Sequence, residues 1–159
     1  MCPFDDDHYM VSGFKIIDGK QYYFNNVMVT SWSIVYNHLY EFNANGVFAG
    51  QNTTQNGWVQ KDGVWFYFRD GALLSGIVNI DGKVYGFNPS MVRNGILYHN
   101  DDGGYYFFGS DGILAAKEGW RTDNEGYRYY TDATGRALTG IRKIDGKTCY
   151  FDYMGRLMP

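Results

Sequence analysis

A short motif returns along this chain and constrains the fold more than any other feature. It consists of an Asp-Gly turn followed by an aromatic strand, and it stands at residues 17–24, 61–68, 80–87 and 144–151. Degenerate copies lie at residues 36–42, 102–108 and 125–131. A period of about 20 residues is typical of repeat architectures, in which each unit buries its apolar face against its neighbours. The pattern therefore predicts a repeat protein and favours binding over catalysis.

The repeat boundaries follow from a glycine that precedes an aromatic or aliphatic residue at the start of each unit. Ser31 takes this place in the second unit. We expect residues 1–12 to form an N-terminal tail or weak cap, and residues 13–159 to form a single solenoid with repeats near 13–30, 31–56, 57–75, 76–94, 95–118, 119–139 and 140–159. An Asp-Gly pair between apolar runs indicates a β-hairpin, because a type I′ turn needs positive φ at both central residues. The predicted fold is therefore all-β, a solenoid of about seven short β-hairpin repeats.

Composition narrows the function classes. Aromatic residues make up 19% of the chain, with 21 Gly and only 3 Pro, which favours short strands and tight turns. The formal net charge is −3 and the basic residues are scattered, so we expect no nucleic-acid partner. No apolar run is long enough to span a membrane, and the start lacks the pattern of a signal peptide. We interpret the chain as a piece of a longer exported protein, secreted or at the cell surface.

Aligning the hairpins separates two faces, because strand side chains alternate with period 2. The last aromatic position and the position two residues before it are almost uniformly aromatic, and we predict that they form the core: Phe24, Phe42, Phe68, Phe87, Phe108, Thr131 and Phe151, with Tyr22, Tyr40, Phe66, Tyr85, Tyr106, Tyr129 and Cys149. The opposite face varies from unit to unit. We expect ligand contacts on this variable face.

Residues 57–68 resemble the cell-wall-binding, or choline-binding, repeat. The run Ile-Asp-Gly-Lys-x-Tyr-Tyr-Phe is similar to the glucan-binding repeats of glucansucrases and to the oligopeptide repeats of large clostridial toxins. The resemblance covers nearly the whole chain. It implies a solenoid of short β-hairpins on a secreted Gram-positive protein, with a non-catalytic role in attachment.

In choline-binding members of this family the ligand lies between consecutive hairpins, in a cage of aromatic walls. Carried over to this chain, the resemblance implies walls at Trp58 and Trp65, but the next hairpin supplies Gly86 where a third wall belongs. At Trp120 the strand partner is Arg128, a cation that repels a quaternary ammonium group. A saccharide needs fewer aromatic walls, since one face of its ring can stack on one aromatic plane. Its hydroxyls can bond to nearby charged groups and to amides such as those of the loop from Gln51 to Asn56.

We therefore expect a non-catalytic module that binds a cell-wall or extracellular polysaccharide by aromatic stacking. The expected ligand-binding residues are Trp58, Trp65, Tyr67, Tyr85, Trp120, Arg128, Tyr130 and Tyr150. Two alternatives stay open, a choline-binding cell-wall anchor and a structural or receptor-contacting segment of a toxin or adhesin. An end-to-end homodimer is left open as well.

No catalytic or metal-binding motif interrupts the repeats, so we expect neither an active site nor a cofactor. Most aspartates precede glycine, where turn chemistry explains them. His38 and His99 have no paired carboxylate motif and are interpreted as structural. The acidic start from Asp5 to His8 is interpreted as a frayed terminus rather than a metal site.

Overall fold

The computed structural model describes residues 12–159, and within them the chain contains β-strands and turns but no helix. Seven hairpins follow one another, as the repeats predict, and the all-β solenoid of hairpin repeats is confirmed. The expected N-terminal tail or cap lies outside the described residues except for Ser12, as do Cys2 and the acidic segment from Asp5 to His8. The strands are β1 (Ser12–Ile17), β2 (Lys20–Asn25), β3 (Val27–Met28), β4 (Ser31–Val35), β5 (His38–Phe42), β6 (Phe48–Asn52), β7 (Gly57–Lys61), β8 (Val64–Arg69), β9 (Ala72–Leu73), β10 (Gly76–Ile80), β11 (Lys83–Phe87), β12 (Gly95–His99), β13 (Gly104–Phe108), β14 (Gly119–Thr122), β15 (Arg128–Thr131), β16 (Gly140–Ile144) and β17 (Lys147–Phe151).

The hairpin turns have the geometry that the Asp-Gly pairs predict. In the turn between β1 and β2, Asp18 has a φ of 50° and Gly19 a φ of 73°. The turns before β8, β11 and β17 repeat these values closely, with φ of 50–52° at the aspartate and 79–80° at the glycine. Tyr36 and Asn37 adopt the same conformation without a glycine, at 49° and 64°. The turn chemistry of the sequence therefore sets the strand register, as expected for two-residue hairpins.

The chain divides into two compact units. Among the described residues, one unit comprises those up to Trp58 together with Tyr67–Leu73, and the other comprises Val59–Phe66 and Leu74–Pro159. In the first unit β5 pairs with β4, β6 and β9, so the long second repeat adds β6 to its hairpin. In the second unit each of the last four hairpins is a separate two-stranded sheet. The single solenoid expected over residues 13–159 stays a prediction.

Linking segments connect each hairpin to the one before it. In the second unit, Leu114 forms an isolated antiparallel β-bridge with Phe108 of the same repeat. The N–H of Leu114 donates to the carbonyl of Val84 in the preceding hairpin at 2.8 Å. Met91, Ala137 and Leu157 repeat this arrangement, donating to the carbonyls of Trp65, Tyr105 and Arg128 at 2.7, 2.8 and 2.7 Å. All four acceptors occupy the same position of the aligned repeats. Nearest-neighbour pairing of this kind is what defines a solenoid.

The predicted core column is confirmed. Its seven members, six phenylalanines and Thr131, are each at most 8% exposed, and Phe68 and Phe108 are fully buried. A buried aromatic ring removes on the order of 150–250 Å² from water, so burial of this column contributes strongly to the stability of the stacked hairpins. The column two residues earlier is less buried than predicted. Only Tyr129 is fully buried there, and the other members are half-buried.

The variable face, on which ligand contacts were expected, is closed to a ligand at Leu39, Gly86 and Phe107, which are buried. The reason is that this face of one hairpin packs against the core-column face of the next. In the second unit the ring centroids of Phe107 and Tyr129 lie 5.8 Å apart, and in the first unit those of Tyr23 and Phe42 lie 6.3 Å apart. The variable face is therefore a packing face wherever the next hairpin covers it.

Candidate functional site

Two tryptophan–tyrosine pairs share one geometry and form the centre of the candidate site. The rings of Trp58 and Tyr67 lie 5.1 Å apart at an angle of 82°, within the first unit. The rings of Trp120 and Tyr130 lie 5.2 Å apart at 85°, within the second unit. Edge-to-face contact is a favoured arrangement for aromatic rings because of their quadrupoles. The structure thus brings together four of the residues expected from the sequence.

The hairpin start explains how each tryptophan meets its tyrosine. Gly119 has a φ of 148°, a conformation that side chains rarely adopt, and the glycine lets the chain enter β14 at this angle. The buried hydroxyl of Thr131 shares its one proton between the carbonyl oxygens of Lys117 and Gly119, at 2.9 and 3.2 Å, which fixes the open end of the hairpin. Trp120 then stands directly opposite Tyr130 across the strands. Its strand partner is therefore Tyr130 and not Arg128, which stands opposite Thr122.

Trp58 stands at the open end of its hairpin, and 37% of it remains exposed. The preceding Asn56 joins the two ends of this hairpin, because its side-chain oxygen accepts a hydrogen bond from the Asp70 amide at 3.0 Å. The Asn56 side-chain nitrogen in turn donates to the Asp70 carboxylate at 3.3 Å. An exposed indole beside polar groups is the kind of surface on which a sugar ring can stack.

The loop from Gln51 to Asn56 was expected to offer amides to sugar hydroxyls. In the structure several of these amides already bond within the loop. The Asn52 side-chain oxygen accepts from the backbone N–H groups of Thr54 and Gln55, at 3.0 and 2.8 Å, and its nitrogen donates to Glu41 at 2.9 Å. The loop is therefore held in shape by the same groups that the sequence suggested for a ligand.

The second pair has a charged neighbour. The guanidinium carbon of Arg128 lies 4.5 Å above the Trp120 ring, a cation–π contact. The Tyr130 hydroxyl donates to the carboxylate of Glu118 at 3.2 Å, and the pKa of Tyr130 is raised by partial burial and then by this carboxylate. The ring of Phe151 lies 6.1 Å from Trp120 on another side. Trp120 is thus packed between its own strand partner, a cation and the next hairpin.

The remaining expected residues take separate places. Trp65 and Tyr85 are half-buried, and Tyr85 bridges Ile113 in the linking segment of the next repeat. Tyr150 is 53% exposed and stands opposite Ile141 across β16 and β17. Their assignment to a ligand site stays a prediction.

Gly86, the position at which the resemblance leaves a cage wall missing, is filled from the next hairpin. A Cβ atom placed at Gly86 would lie 2.8 Å from a ring atom of Phe108. The space that a side chain would occupy therefore belongs to the fully buried Phe108 ring. Glycine at this position serves the packing of two hairpins.

Sequence reasoning missed two features of the fifth hairpin. Tyr98 and Tyr105 face each other across β12 and β13 with ring centroids 5.1 Å apart, and Tyr98 is exposed. Strand register would have paired them, but Tyr98 precedes the turn and lies outside the repeating motif. In addition, His99 lies beside a carboxylate that no motif indicated. Its Nδ1 lies 3.3 Å from Oδ1 of Asp102, whose other oxygen, Oδ2, accepts the Tyr106 hydroxyl at 2.5 Å.

Two further features are absent from residues 12–159. These residues hold no cluster of three or more His, Cys, Asp or Glu side chains arranged to ligate a metal ion. Nor do they form a helix with the length and apolar character needed to cross a membrane.

Comparison with known proteins identifies the repeat. The family model of the cell wall binding repeat matches residues 12–26, 56–71 and 118–137. These segments contain the first Gly-aromatic start and both tryptophan–tyrosine pairs.

Relatives among characterised proteins are much longer than this chain. Glucosyltransferase-S of Streptococcus downei is 32% identical over 155 residues, an alignment that covers 96% of this chain and 10% of that protein. Toxin A of Clostridium novyi is 33% identical over 105 residues, covering 60% of this chain and 5% of the toxin. The chain spans about a tenth of the length of the glucosyltransferases that it matches.

Among solved structures, choline binding protein F of Streptococcus pneumoniae matches with a TM-score of 0.46 and 24% identity, covering 98% of this chain and 54% of that one. An alternansucrase in complex with isomaltononaose matches with a TM-score of 0.30 and 26% identity, covering 97% of this chain and 14% of that one.

Proposed function

Because this chain belongs to the cell wall binding, or choline-binding, repeat family, we propose that it is a non-catalytic module that binds a cell-wall or extracellular polysaccharide. It attaches the secreted protein of which it is a part to a surface. The glucosyltransferase relatives make a glucan the first ligand to test. The contacts are stacking contacts on exposed aromatic rings, supplemented by polar groups at the open ends of the hairpins.

One observation supports this proposal above others: Trp58 stays 37% exposed although its hairpin is anchored by the fully buried Phe68. The core column already anchors the hairpin, and more than a third of the indole is left accessible to a ligand. A large ring with an apolar face and a polar edge is common at binding surfaces. Tyr67 holds the indole from the side, at 5.1 Å, so that little side-chain freedom is lost when a ligand binds.

Native gel electrophoresis through gels that contain dextran or another soluble glucan tests the proposal. We expect dextran to slow the migration of the protein. We expect Trp58→Ala to raise the dissociation constant for dextran about tenfold, which corresponds to a loss of about 1.4 kcal/mol of binding free energy. Repeated weak sites gain from effective concentration, so Trp58→Ala combined with Trp120→Ala should lose more than either alone.

Tyr153→Ala is the matched control, because it removes an exposed aromatic ring that lies in a linking turn. It should migrate like the wild-type protein. Thermal melting of every variant separates lost binding from lost folding. Equal retardation of the wild type and both tryptophan variants, or no retardation by any glycan, would contradict the proposal.

A choline anchor is the second candidate, favoured by the 82° angle between the rings of Trp58 and Tyr67. Two perpendicular rings form adjacent walls for a quaternary ammonium group, each worth about 0.5–2 kcal/mol. A choline-binding protein should leave a DEAE matrix at a choline concentration at which sodium chloride fails to elute it. The net charge of −3 alone would give equal elution by both salts.

The third candidate, a structural or receptor-contacting segment of a toxin or adhesin, draws on the similarity to toxin A. It is distinguished by a flat response to every small ligand together with retention by cells that carry a host receptor. The end-to-end homodimer also stays a prediction. The exposed pair of Ile141 and Tyr150 is the surface it would use, and sedimentation velocity over a concentration series tests it.

A further inference from the structure

The two tryptophan–tyrosine pairs allow a comparison within one chain. Their ring distances agree within 0.1 Å, at 5.1 and 5.2 Å, and their angles within 3°, at 82° and 85°. The residue two positions before the tyrosine differs: it is Trp65 in the third repeat and Arg128 in the sixth. Any difference in ligand preference between the two repeats should therefore follow from this one position more than from the pair itself.

Arg128 is exposed, yet its guanidinium has a defined place over the Trp120 ring at 4.5 Å. Among the described residues, no carboxylate forms an ion pair with it. The nearby acid Glu118 accepts the Tyr130 hydroxyl instead, and Asp145 influences Tyr130 through its charge. The guanidinium thus lies on an aromatic face with its N–H groups directed to no acidic side chain of the repeat.

We propose that Arg128 sets the ligand class of the sixth repeat, so that it takes saccharides carrying a carboxylate or phosphate group and excludes quaternary ammonium ligands. This inference rests on the proposed glycan-binding function of the same pair. A cationic ligand would have to displace the guanidinium from the Trp120 face and would meet its charge. An anionic group gains from both the charge and the N–H donors.

The geometry suits an anion for two reasons. A guanidinium presents a planar set of N–H donors that matches a carboxylate or phosphate with two parallel hydrogen bonds. Stacking on the indole also limits the motion of the long arginine side chain before the ligand arrives, which reduces the entropy lost on binding. The negative charges of Glu118 and Asp145 lie toward Tyr130 and moderate this preference without cancelling it, because Arg128 is the residue in direct contact with Trp120.

Tryptophan indole N–H signals in two-dimensional NMR spectra provide the test. The chain has 4 Trp, so each signal can be assigned with single Trp→Phe variants. The probes are methyl glucuronide, glucose 1-phosphate, methyl glucoside and choline chloride. For the wild type we expect the Trp120 signal to respond to the two anionic sugars at concentrations about three- to tenfold lower than to methyl glucoside, and not to respond to choline.

In Arg128→Ala the preference for anionic sugars should disappear and a response to choline should appear at Trp120. Arg128→Lys should keep part of the preference, because it keeps the charge but loses the planar donors. Raising the salt concentration to 0.5 M should shrink the preference in the wild type, since exposed charges are screened over about 4–5 Å at that ionic strength. Lys143→Ala is the control, because it removes one positive charge as Arg128→Ala does, but from an exposed residue on β16 of the next hairpin. The Lys143→Ala variant should behave like the wild type.

Choline shifting the Trp120 signal equally in the wild type and in Arg128→Ala would overturn the inference, as would equal responses of the wild type to anionic and neutral sugars. A larger response to glucuronide than to glucose phosphate identifies the carboxylate as the source of the anion, and the reverse identifies phosphate. If Trp58 responds to neutral glucan oligosaccharides while Trp120 shows no preference, the inference fails and the proposed function stands. If no indole responds to any sugar, the proposed function fails.

Discussion

Three tyrosine hydroxyls at the edge of the core are bonded to acidic side chains. Tyr106 donates to Asp102, Tyr129 donates to Asp123 at 2.8 Å, and Tyr130 donates to Glu118. Buried or half-buried hydroxyls need such partners, because an unpaired polar group away from water costs about 1–3 kcal/mol. Burial raises the pKa of Tyr129 to about 12. At the residue scale, the aspartates do more than form turns.

Asp102 makes this role measurable. The Tyr106 hydroxyl holds the pKa of Asp102 below its ordinary value of 3.8, with further help from the Gly104 amide and from His99. A carboxyl group whose folded pKa is lowered stabilises the native state above its ordinary pKa. This contribution is lost as the pH falls through the lowered value.

We predict that Tyr106→Phe raises the pKa of Asp102 toward 3.8, because the phenol donor is removed. The stability lost below pH 3.8 should then be smaller in the variant than in the wild type. Carbon-13 NMR titration of the side-chain carboxyl measures the pKa directly. Tyr130→Phe, which removes a hydroxyl from Glu118 instead, should leave Asp102 unchanged. An unaltered Asp102 titration in Tyr106→Phe would contradict the prediction.

At the scale of the hairpin, the first residue of each repeat determines whether the backbone is strained where the hairpin begins. Four repeats have a glycine there with φ between 72° and 87°, namely Gly13, Gly57, Gly76 and Gly140. Ser31 adopts a φ of 72° in the same place, in a region that L residues with a side chain occupy at a cost. The second hairpin thus carries local strain that most of the others avoid.

Ser31→Gly should therefore raise the free energy of unfolding by about 0.5–1 kcal/mol, the relief of strain outweighing the greater freedom of glycine in the unfolded chain. Denaturant unfolding followed by tryptophan fluorescence measures it. Ser33 provides the control, because it lies in the middle of β4 opposite Tyr40, where glycine weakens a strand. Ser33→Gly should lower the stability, and a fall in both variants would refute the assignment of strain to Ser31.

The hairpins themselves were predictable because local chemistry determines them. Asp18 and Gly19 specify their turn almost alone, and the alternation from Tyr22 to Phe24 specifies which face is buried. Contacts between hairpins were not predictable, since they depend on how one hairpin lies on the next. The Phe108 ring over Gly86 and the Phe151 ring beside Trp120 are examples. For this reason the two ring pairs could be anticipated, whereas the burial of Phe107 could not.

Over the whole molecule, the stability of each hairpin should depend on its contacts with the adjacent hairpins. Within the second unit, each hairpin is tied to the preceding one through a linking segment and through ring contacts such as that of Trp120 with Phe151. In such an array the stability is approximately a sum of repeat terms and nearest-neighbour terms. A substitution that destabilises one hairpin should therefore affect that hairpin and its immediate neighbours most.

Phe151→Ala tests this. Truncation of a buried phenylalanine costs about 3–5 kcal/mol, and the loss should appear as faster amide hydrogen exchange in β16 and β17 and, through Trp120, in β14 and β15. Strands β10 and β11 should keep their protection. Hydrogen exchange followed by mass spectrometry reports each hairpin separately, and a uniform rise across the second unit would contradict nearest-neighbour stability.

The linking segments of the second unit attach to the preceding hairpin through main-chain carbonyls, at positions whose side chains are Trp65, Val84, Tyr105 and Arg128. Peptide oxygens are the same in every residue, so attachment makes no demand on what the side chain is. Substitution can therefore remodel ligand preference there without loosening the array. Recombination can likewise insert or delete whole repeats, since an inserted repeat meets a main-chain carbonyl at the same position of the preceding hairpin. The number of binding sites and the ligand preference of each site can therefore change independently during evolution.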